Sequence, residues 1–401
     1  MLERHVVSCA LLFAISLSIF AGPVMSPEKW RTDVEFVGRE LPKRHKNAFH
    51  HTPREQFAAA VAALRDRAAT ANDHEMLVGL LQLTAMVGDG HTRVNPAPGL
   101  FHAFPIGIVE IEGVYRVVRG AGPAAPLVGG RLTKIDGIPL EKIVPKVRTL
   151  IAQGESDILI AARTAQWFAV AEALHGLGII KDPGTATYTA VMEDGTERTA
   201  ALRVLDDSVK PEWRLAAASH PLYRQRMGEG FWFQWLPESR TVYVNFRTYE
   251  NLRAKSRELW SFVDANPVQK IAFDLRQNGG GDYNVGRRYL VDELARRPKL
   301  RGYVITSANT FSAALKTAID FRQVAKATLV GETIGERPNS YSENDEMTLP
   351  HSKLSLSYST RYYEFLPGDD GLVKPDKEIL PTWSDWTAGR DPVLDWIVAA
   401  P

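Results

Sequence analysis

Between residues 241 and 331, short apolar runs alternate with longer amphipathic stretches, and this alternation restricts the fold more than any other feature. The runs at 241–246, 271–275, 303–306 and 328–330 are rich in β-branched and aromatic residues and have the length of strands. The stretches at 252–265, 284–296 and 312–325 carry apolar residues at helical spacing. Strands alternating with helices build βαβ units and a parallel sheet with right-handed crossovers. Such a sheet binds ligands outside the carboxyl ends of its strands. Two polar stretches fall there: Asn278-Gly279-Gly280-Gly281 after the second run, and the loop after the third run that leads to Ser312.

Ser312 stands where a loop turns into a helix. Its hydroxyl can act as an ordinary N-cap, or as a nucleophile beside unpaired backbone N–H groups. Three consecutive glycines let a substrate approach the backbone and aim N–H groups into a site. No Lys-Ser or Lys-Thr follows them, so they lack the signature of a nucleotide phosphate loop. An N–H of Gly279 or Gly280, together with that of Ala313, would form an oxyanion hole if the second and third strands are neighbours. A serine nucleophile needs a base. Of the ten histidines, His91 has the most unusual setting, between Gly90 and Thr92 just after a predicted helix end. A helix-end histidine is also an ordinary dipole partner. Lys316, four residues after Ser312, offers a Ser–Lys alternative, although a solvated helix lysine is the reading preferred for it. HExxH, GxSxG and CxxC patterns are absent, so neither a metal nor a cofactor is expected.

The rest of the chain divides around this core at 231–401. Residues 27–100 read as a helical region, with Trp30, Val34, Val37 and Leu41 on one helix face and a third helix ending near Gly88. Residues 101–205 read as a small β-rich module, with hairpin turns at Glu112-Gly113, Asp136-Gly137 and Asp194-Gly195. Residues 206–230 read as a linker. Phe231-Trp232-Phe233-Gln234-Trp235 reads as core packing where the sheet begins, or as the lining of an apolar pocket. A last hairpin is expected at 346–349 and 354–358. Residues 1–26 have the charge, apolar run and small-residue break of a secretory signal peptide, with an uncleaved anchor as the alternative. They contain the only cysteine, Cys9, so a processed chain would have no thiol chemistry. The formal charge of +1, without long like-charge runs, gives no footprint for nucleic acid.

Five stretches recur in a fixed order. They are Gly88-Asp89-Gly90-His91-Thr92, Asp274-Leu275-Arg276-Gln277-Asn278-Gly279-Gly280-Gly281, Ser307-Ala308-Asn309-Thr310-Phe311-Ser312-Ala313-Ala314, Val330-Gly331-Glu332-Thr333 and Val373-Lys374-Pro375-Asp376. Together they resemble the tail-specific, or C-terminal-processing, serine peptidase family, which also contains the tricorn core proteases. The resemblance implies an α/β fold: a crotonase-like (ββα) parallel-sheet core, an N-terminal helical region and a PDZ-like module. It implies hydrolysis of a peptide or protein substrate, with Ser312 as nucleophile and Gly279 or Gly280 with Ala313 as oxyanion donors, and the signal-like segment makes this an exported enzyme. The processing peptidases use a lysine base where this chain has Arg337, which stays protonated. The tricorn-like branch uses a histidine that His91 matches. The same branch implies a third, acidic group at Asp369, with Asp370 and Glu364 as alternatives, and a serine where this chain has Gly90. The family core also occurs in binding proteins, so a non-catalytic protein holding a peptide or apolar ligand is the alternative function.

Overall fold

The computed structural model describes residues 25–206, 208–368 and 371–401. Most of the expected signal segment, and Asp369 and Asp370, lie outside the described residues.

Three helices come first: α1 (Pro27–Arg44), α2 (Arg54–Arg67) and α3 (Asp73–Val87). The α3 start is a capping box, in which Asn72 accepts from the Glu75 N–H and Glu75 from the Asn72 N–H. Its end is Gly88 in the left-handed conformation (φ 108°), which turns the chain back into the protein. Strand β1 (Arg93–Val94) follows.

The middle of the chain builds one antiparallel sheet around a core of its own. It contains β2 (Ile106–Ile111), β3 (Val114–Ala121), β4 (Arg131–Ile135) and β5 (Ile138–Pro139). Helices α4 (Leu140–Arg148) and α6 (Ala171–Gly176) pack onto this core, with α5 (Asp157–Thr164) beside α4. Strands β6 (Thr185–Val191), β7 (Glu197–Arg203) and the short β8 (Trp213–Leu215) complete it. The Asp136-Gly137 turn has positive φ at both residues, 47° and 73°, as a two-residue hairpin requires. The expected linker thus carries β8, which pairs with β3.

The last part is organised by a second sheet in the order β16-β13-β12-β11-β10-β9. Its members are β9 (Phe231–Leu236), β10 (Thr241–Phe246), β11 (Lys270–Asp274), β12 (Arg301–Thr306), β13 (Thr328–Gly331) and, later in the chain, β16 (Lys377–Glu378). All neighbours are parallel except β9, which pairs antiparallel with β10. The alternation seen in the sequence is realised: α7 (Leu252–Ala265) joins β10 to β11, and α10 (Ala313–Gln323) joins β12 to β13. Strand residues Val244, Phe273, Val304 and Leu329 are fully buried. Each contributes about 1.5–3 kcal/mol by leaving water. Phe231 and Trp232 are buried as well, which supports core packing for the aromatic cluster. The helix expected at 284–296 is broken into α8 (Tyr283–Gly286), a π turn (Arg287–Val291) and α9 (Asp292–Ala295). Helices α11 (Trp383–Ala388) and α12 (Pro392–Ala399) close the chain, and Lys270 Nζ donates to the carbonyls of Val398 and Ala400.

A third, small sheet has the order β1-β15-β14, from the hairpin β14 (Asn339–Thr348) and β15 (Ser355–Glu364). This hairpin is far longer than the sequence pattern showed. Apolar residues mark only its base, where Met347, Leu349, Leu356 and Tyr358 pack against α1–α3. Its outer half is polar and exposed, so it has no hydrophobic alternation to read. Through β1 it pairs with the segment that follows the helical region.

Candidate active site

The strands β11 and β12 are parallel neighbours, so the loops that follow them lie side by side. Asn278, completely buried, fastens one loop to the other. Its side-chain N–H donates to the Phe246 carbonyl (2.9 Å), and its own carbonyl accepts the Phe311 N–H (3.1 Å). Thr310 Oγ1 donates to the Leu275 carbonyl (2.9 Å), and Ser307 Oγ to the Arg276 carbonyl (2.8 Å). Below them Arg276 pairs with Asp274 and Asp391, all three buried, which fixes the start of the glycine loop. A buried pair of this kind adds geometric definition more than net stability.

Ser312 occupies the cap position of α10, but its hydroxyl makes no capping bond. Its backbone is held at φ 58°, ψ −125°, a left-handed conformation that costs a non-glycine residue about 1–3 kcal/mol. Such a turn between strand and helix lifts the hydroxyl out of the backbone. Gly280 makes room for it: a Cβ there would sit 2.6 Å from Ser312 Cβ and 3.2 Å from the Ala313 nitrogen. The Gly280 N–H is committed to Asn278 Oδ1 (2.9 Å). Among the described residues, the N–H groups of Gly279 and Ala313 have no protein acceptor.

His91 arrives from the other end of the chain, 221 residues away, and its Nε2 lies 3.0 Å from Ser312 Oγ. The left-handed Gly88 and the buried Asp89 put it there. Asp89 accepts from the His91 and Thr92 N–H groups (3.2 and 3.0 Å), from Thr92 Oγ1 (3.0 Å) and from Ser359 Oγ on β15 (2.6 Å). His45 Nε2 lies 2.9 Å from Oδ2, the oxygen that also accepts from Thr92 Oγ1. Burial raises the Asp89 carboxyl's pKa, but the His45, Ser359 and Thr92 hydrogen bonds outweigh it and hold it below the usual value. Ser357 Oγ donates to the His91 carbonyl (2.8 Å), and the ring stacks on Phe311 at 4.7 Å. Burial pushes the His91 pKa down to about 4, which keeps the ring neutral at physiological pH and able to accept a proton. Ser342 Oγ on β14 also approaches Nε2, at 3.2 Å.

Two buried carboxyls that sequence reasoning passed over lie behind the pair. Glu336 accepts the Ser312 N–H, and its Oε1 lies 3.9 Å from His91 Nδ1. Glu155 Oε1 accepts the Gly90 N–H (2.9 Å). A side chain at position 90 would collide with Phe311 and Glu155, which explains glycine where the tricorn-like pattern has serine. Burial pushes both carboxyls up, Glu336 well above the usual range. An acidic residue in an otherwise loop-like stretch gave no sequence signal. Only its 1% exposure marks Glu336.

The remaining sequence candidates fall elsewhere. Lys316 Nζ is held by Asp320 on the same helix. Arg337, at the position of the processing-type lysine, points toward the Gly154 carbonyl (3.4 Å). Glu364 ends β15, exposed and opposite Asn339. Among the described residues no group of His, Cys, Asp and Glu is arranged to hold a metal ion.

No protein-family profile matches this chain, and no curated protein sequence matches it. Solved structures do. Mature CPAF complexed with lactacystin superposes with a TM-score of 0.62 at 11% identity, over 93% of this chain and 98% of that one. Mature CPAF alone gives 0.61 at 11% identity, over 93% and 96%. The photosystem II D1 C-terminal processing protease gives 0.43 at 14% identity, over 91% and 98%. These neighbours lie in the tail-specific peptidase family that the five sequence stretches resemble. The chain has the fold of mature CPAF, along nearly its whole length.

Proposed function

We propose that this protein is an exported serine peptidase that cleaves peptide bonds with Ser312 and His91. One observation carries the reading: the 3.0 Å approach of His91 Nε2 to a serine hydroxyl in a strained turn. In the reaction His91 takes the Ser312 proton as Oγ attacks the scissile carbonyl. The tetrahedral oxyanion is held by the Ala313 and Gly279 N–H groups, Gly280 contributing space rather than a donor. His91 then passes its proton to the leaving amine, and water repeats the sequence on the acyl-enzyme. Lys316 is no rival base, because its Nζ is engaged by Asp320 on the same helix. The resemblance alone speaks for Asp369 as a third group.

The same reading assigns residues 27–100 to a helical region, 101–205 to a PDZ-like module, 206–230 to a linker and 231–401 to a crotonase-like peptidase core. It takes residues 1–26 as a signal peptide that directs export to the periplasm or medium. No helix among the described residues is long and apolar enough to cross a membrane. The substrate would be a peptide or protein, without metal, cofactor or nucleic acid.

A fluorophosphonate probe tests the proposal. The wild-type protein is expected to be labelled, Ser312→Ala to be unlabelled with an unchanged thermal midpoint, and His91→Ala to be labelled far more slowly. A Ser312→Ala variant that still turns over a peptide overturns it. A wild-type protein that takes no label favours a non-catalytic protein binding a peptide or apolar ligand on the same scaffold.

A further inference from the structure

A histidine that is to accept a proton at Nε2 must carry its own proton on Nδ1, and something must hold it there. His91 Nδ1 is buried and makes no hydrogen bond among the described residues, although the Tyr341 carbonyl is near enough to favour the charged ring. It faces Glu336 Oε1 at 3.9 Å. The second oxygen of the same carboxyl accepts the Ser312 N–H. One buried side chain therefore touches the backbone of the nucleophile and looks onto the ring of the base. Its own segment is well anchored: the Gly335 N–H donates to the Ala308 carbonyl (3.2 Å), and Ser156 Oγ to the Gly335 carbonyl (2.5 Å).

Building on the Ser–His reading, we infer that Glu336 is the positioning residue of this site, selecting the Nδ1–H tautomer of His91 while holding Ser312 in its left-handed turn. With the proton on Nδ1, the Nε2 lone pair points at Ser312 Oγ. When Oγ attacks, its proton moves to Nε2, and the positive ring faces the Glu336 carboxylate. That proton then leaves with the amine, and the ring returns to neutral.

The surroundings of Glu336 make the device depend on pH. Glu155 approaches from the loop before α5, Arg163 from α5, and Asp89, His91 and Arg93 from the segment after α3. Arg337 is its chain neighbour. Burial and Glu155 raise the Glu336 carboxyl, whereas the Ser312 N–H and Arg163 lower it, and the net direction is up. A protonated Glu336 no longer attracts the His91 Nδ1 proton. The tautomer needed for attack therefore appears as pH rises through the raised carboxyl value. His91 is already neutral there, since its own value is pushed down to about 4. The acid limb of activity belongs to Glu336 and its neighbour Glu155, and not to His91.

The experiment is the rate of fluorophosphonate labelling against pH for wild type, Glu336→Gln and Asp369→Asn. At neutral pH Glu336→Gln is expected to label about 100-fold slower or more, with its acid limb displaced toward the His91 value. Asp369→Asn is expected to leave the acid limb where it stands in the wild type. Wild-type rate and limb in Glu336→Gln overturn the inference and leave the Tyr341 carbonyl, which also favours the charged ring, as orienter. Loss confined to Asp369→Asn overturns it in favour of Asp369. Labelling that survives Ser312→Ala would instead strike the Ser–His reading itself. Should Glu336→Gln not fold, ¹⁵N-histidine spectra of the wild type decide: an Nδ1–H ring at neutral pH is expected for His91, and an Nε2–H ring overturns the inference.

Discussion

The two halves of the candidate site are held in different ways. Ser312 is fixed by backbone: two adjacent parallel strands, two loops cross-linked by Asn278, Thr310 and Ser307, and a glycine that leaves room. His91 is fixed by side chains that come from far away in the sequence. Asp89 gathers His45, Thr92 and Ser359, while Ser357 holds the His91 carbonyl. The first kind of support needs only strand order and small residues. The second needs several buried polar groups to be satisfied at once, and each unsatisfied one costs about 1–3 kcal/mol. The nucleophile half should therefore fail through geometry and the base half through stability.

The sharpest way to break the first half is Gly280→Ala. Gly280 lies at φ 109°, where a side chain is strained, and the new Cβ would meet Ser312 Cβ at 2.6 Å. Neither can move without displacing the Ala313 N–H or the hydroxyl. A shift of an ångström at a reacting centre is enough to slow reaction by about 100-fold. Labelling by the fluorophosphonate probe is expected to fall by that factor or more, with circular dichroism unchanged. A variant that labels at the wild-type rate would show that the serine is not held by this glycine.

Asp89→Ala is the matching test of the second half, and its effect should appear in unfolding. It strips an acceptor from four neighbouring residues, two of them, Thr92 and Ser359, fully buried. Losing one partner of such a buried network costs about 3–5 kcal/mol. Equilibrium denaturation is expected to show that loss at neutral pH and much less of it in acid. The sign follows from the lowered Asp89 value: a depressed carboxyl contributes its stability above the unfolded value of about 3.9 and loses it as pH falls through the folded one. A pH-independent difference between wild type and variant would remove the ionised carboxyl from the explanation.

This contrast also explains what the sequence could convey. Strand 241–246 and helix 252–265 were legible because burial on one or both faces imposes a period on the residues. The order of strands around Ser312 followed from that period and the rules of parallel sheets. The base half was legible only in part. His91 stands out through its glycine neighbours, but nothing in the sequence marks His45, which is buried at 4% exposure against Asp89. Glu155 and Glu336 gave no signal, since a carboxyl destined for burial looks like a surface one until its partners are placed. The polar half of the β14–β15 hairpin was missed for the same reason. It presents Ser342 to the site but has no buried face to show a period.

The smallest expected effect belongs to Lys316→Ala, and it separates the two halves most cleanly. Lys316 stands four residues beyond Ser312 on α10, where a lysine base would make the nucleophile half self-sufficient. Its ammonium is instead paired with Asp320, which is 3% exposed and also faces Arg287 at 3.4 Å. Removing Lys316 leaves Asp320 one cation, so stability should fall by only about 1 kcal/mol. Probe labelling should stay within about twofold of wild type, because the proton goes to a ring on the other half of the site. A large loss of labelling in Lys316→Ala, with labelling retained in His91→Ala, would place the base on α10. His91, with its buried polar network, would then be structural, and the division between a geometric nucleophile half and a stability-dependent base half would collapse.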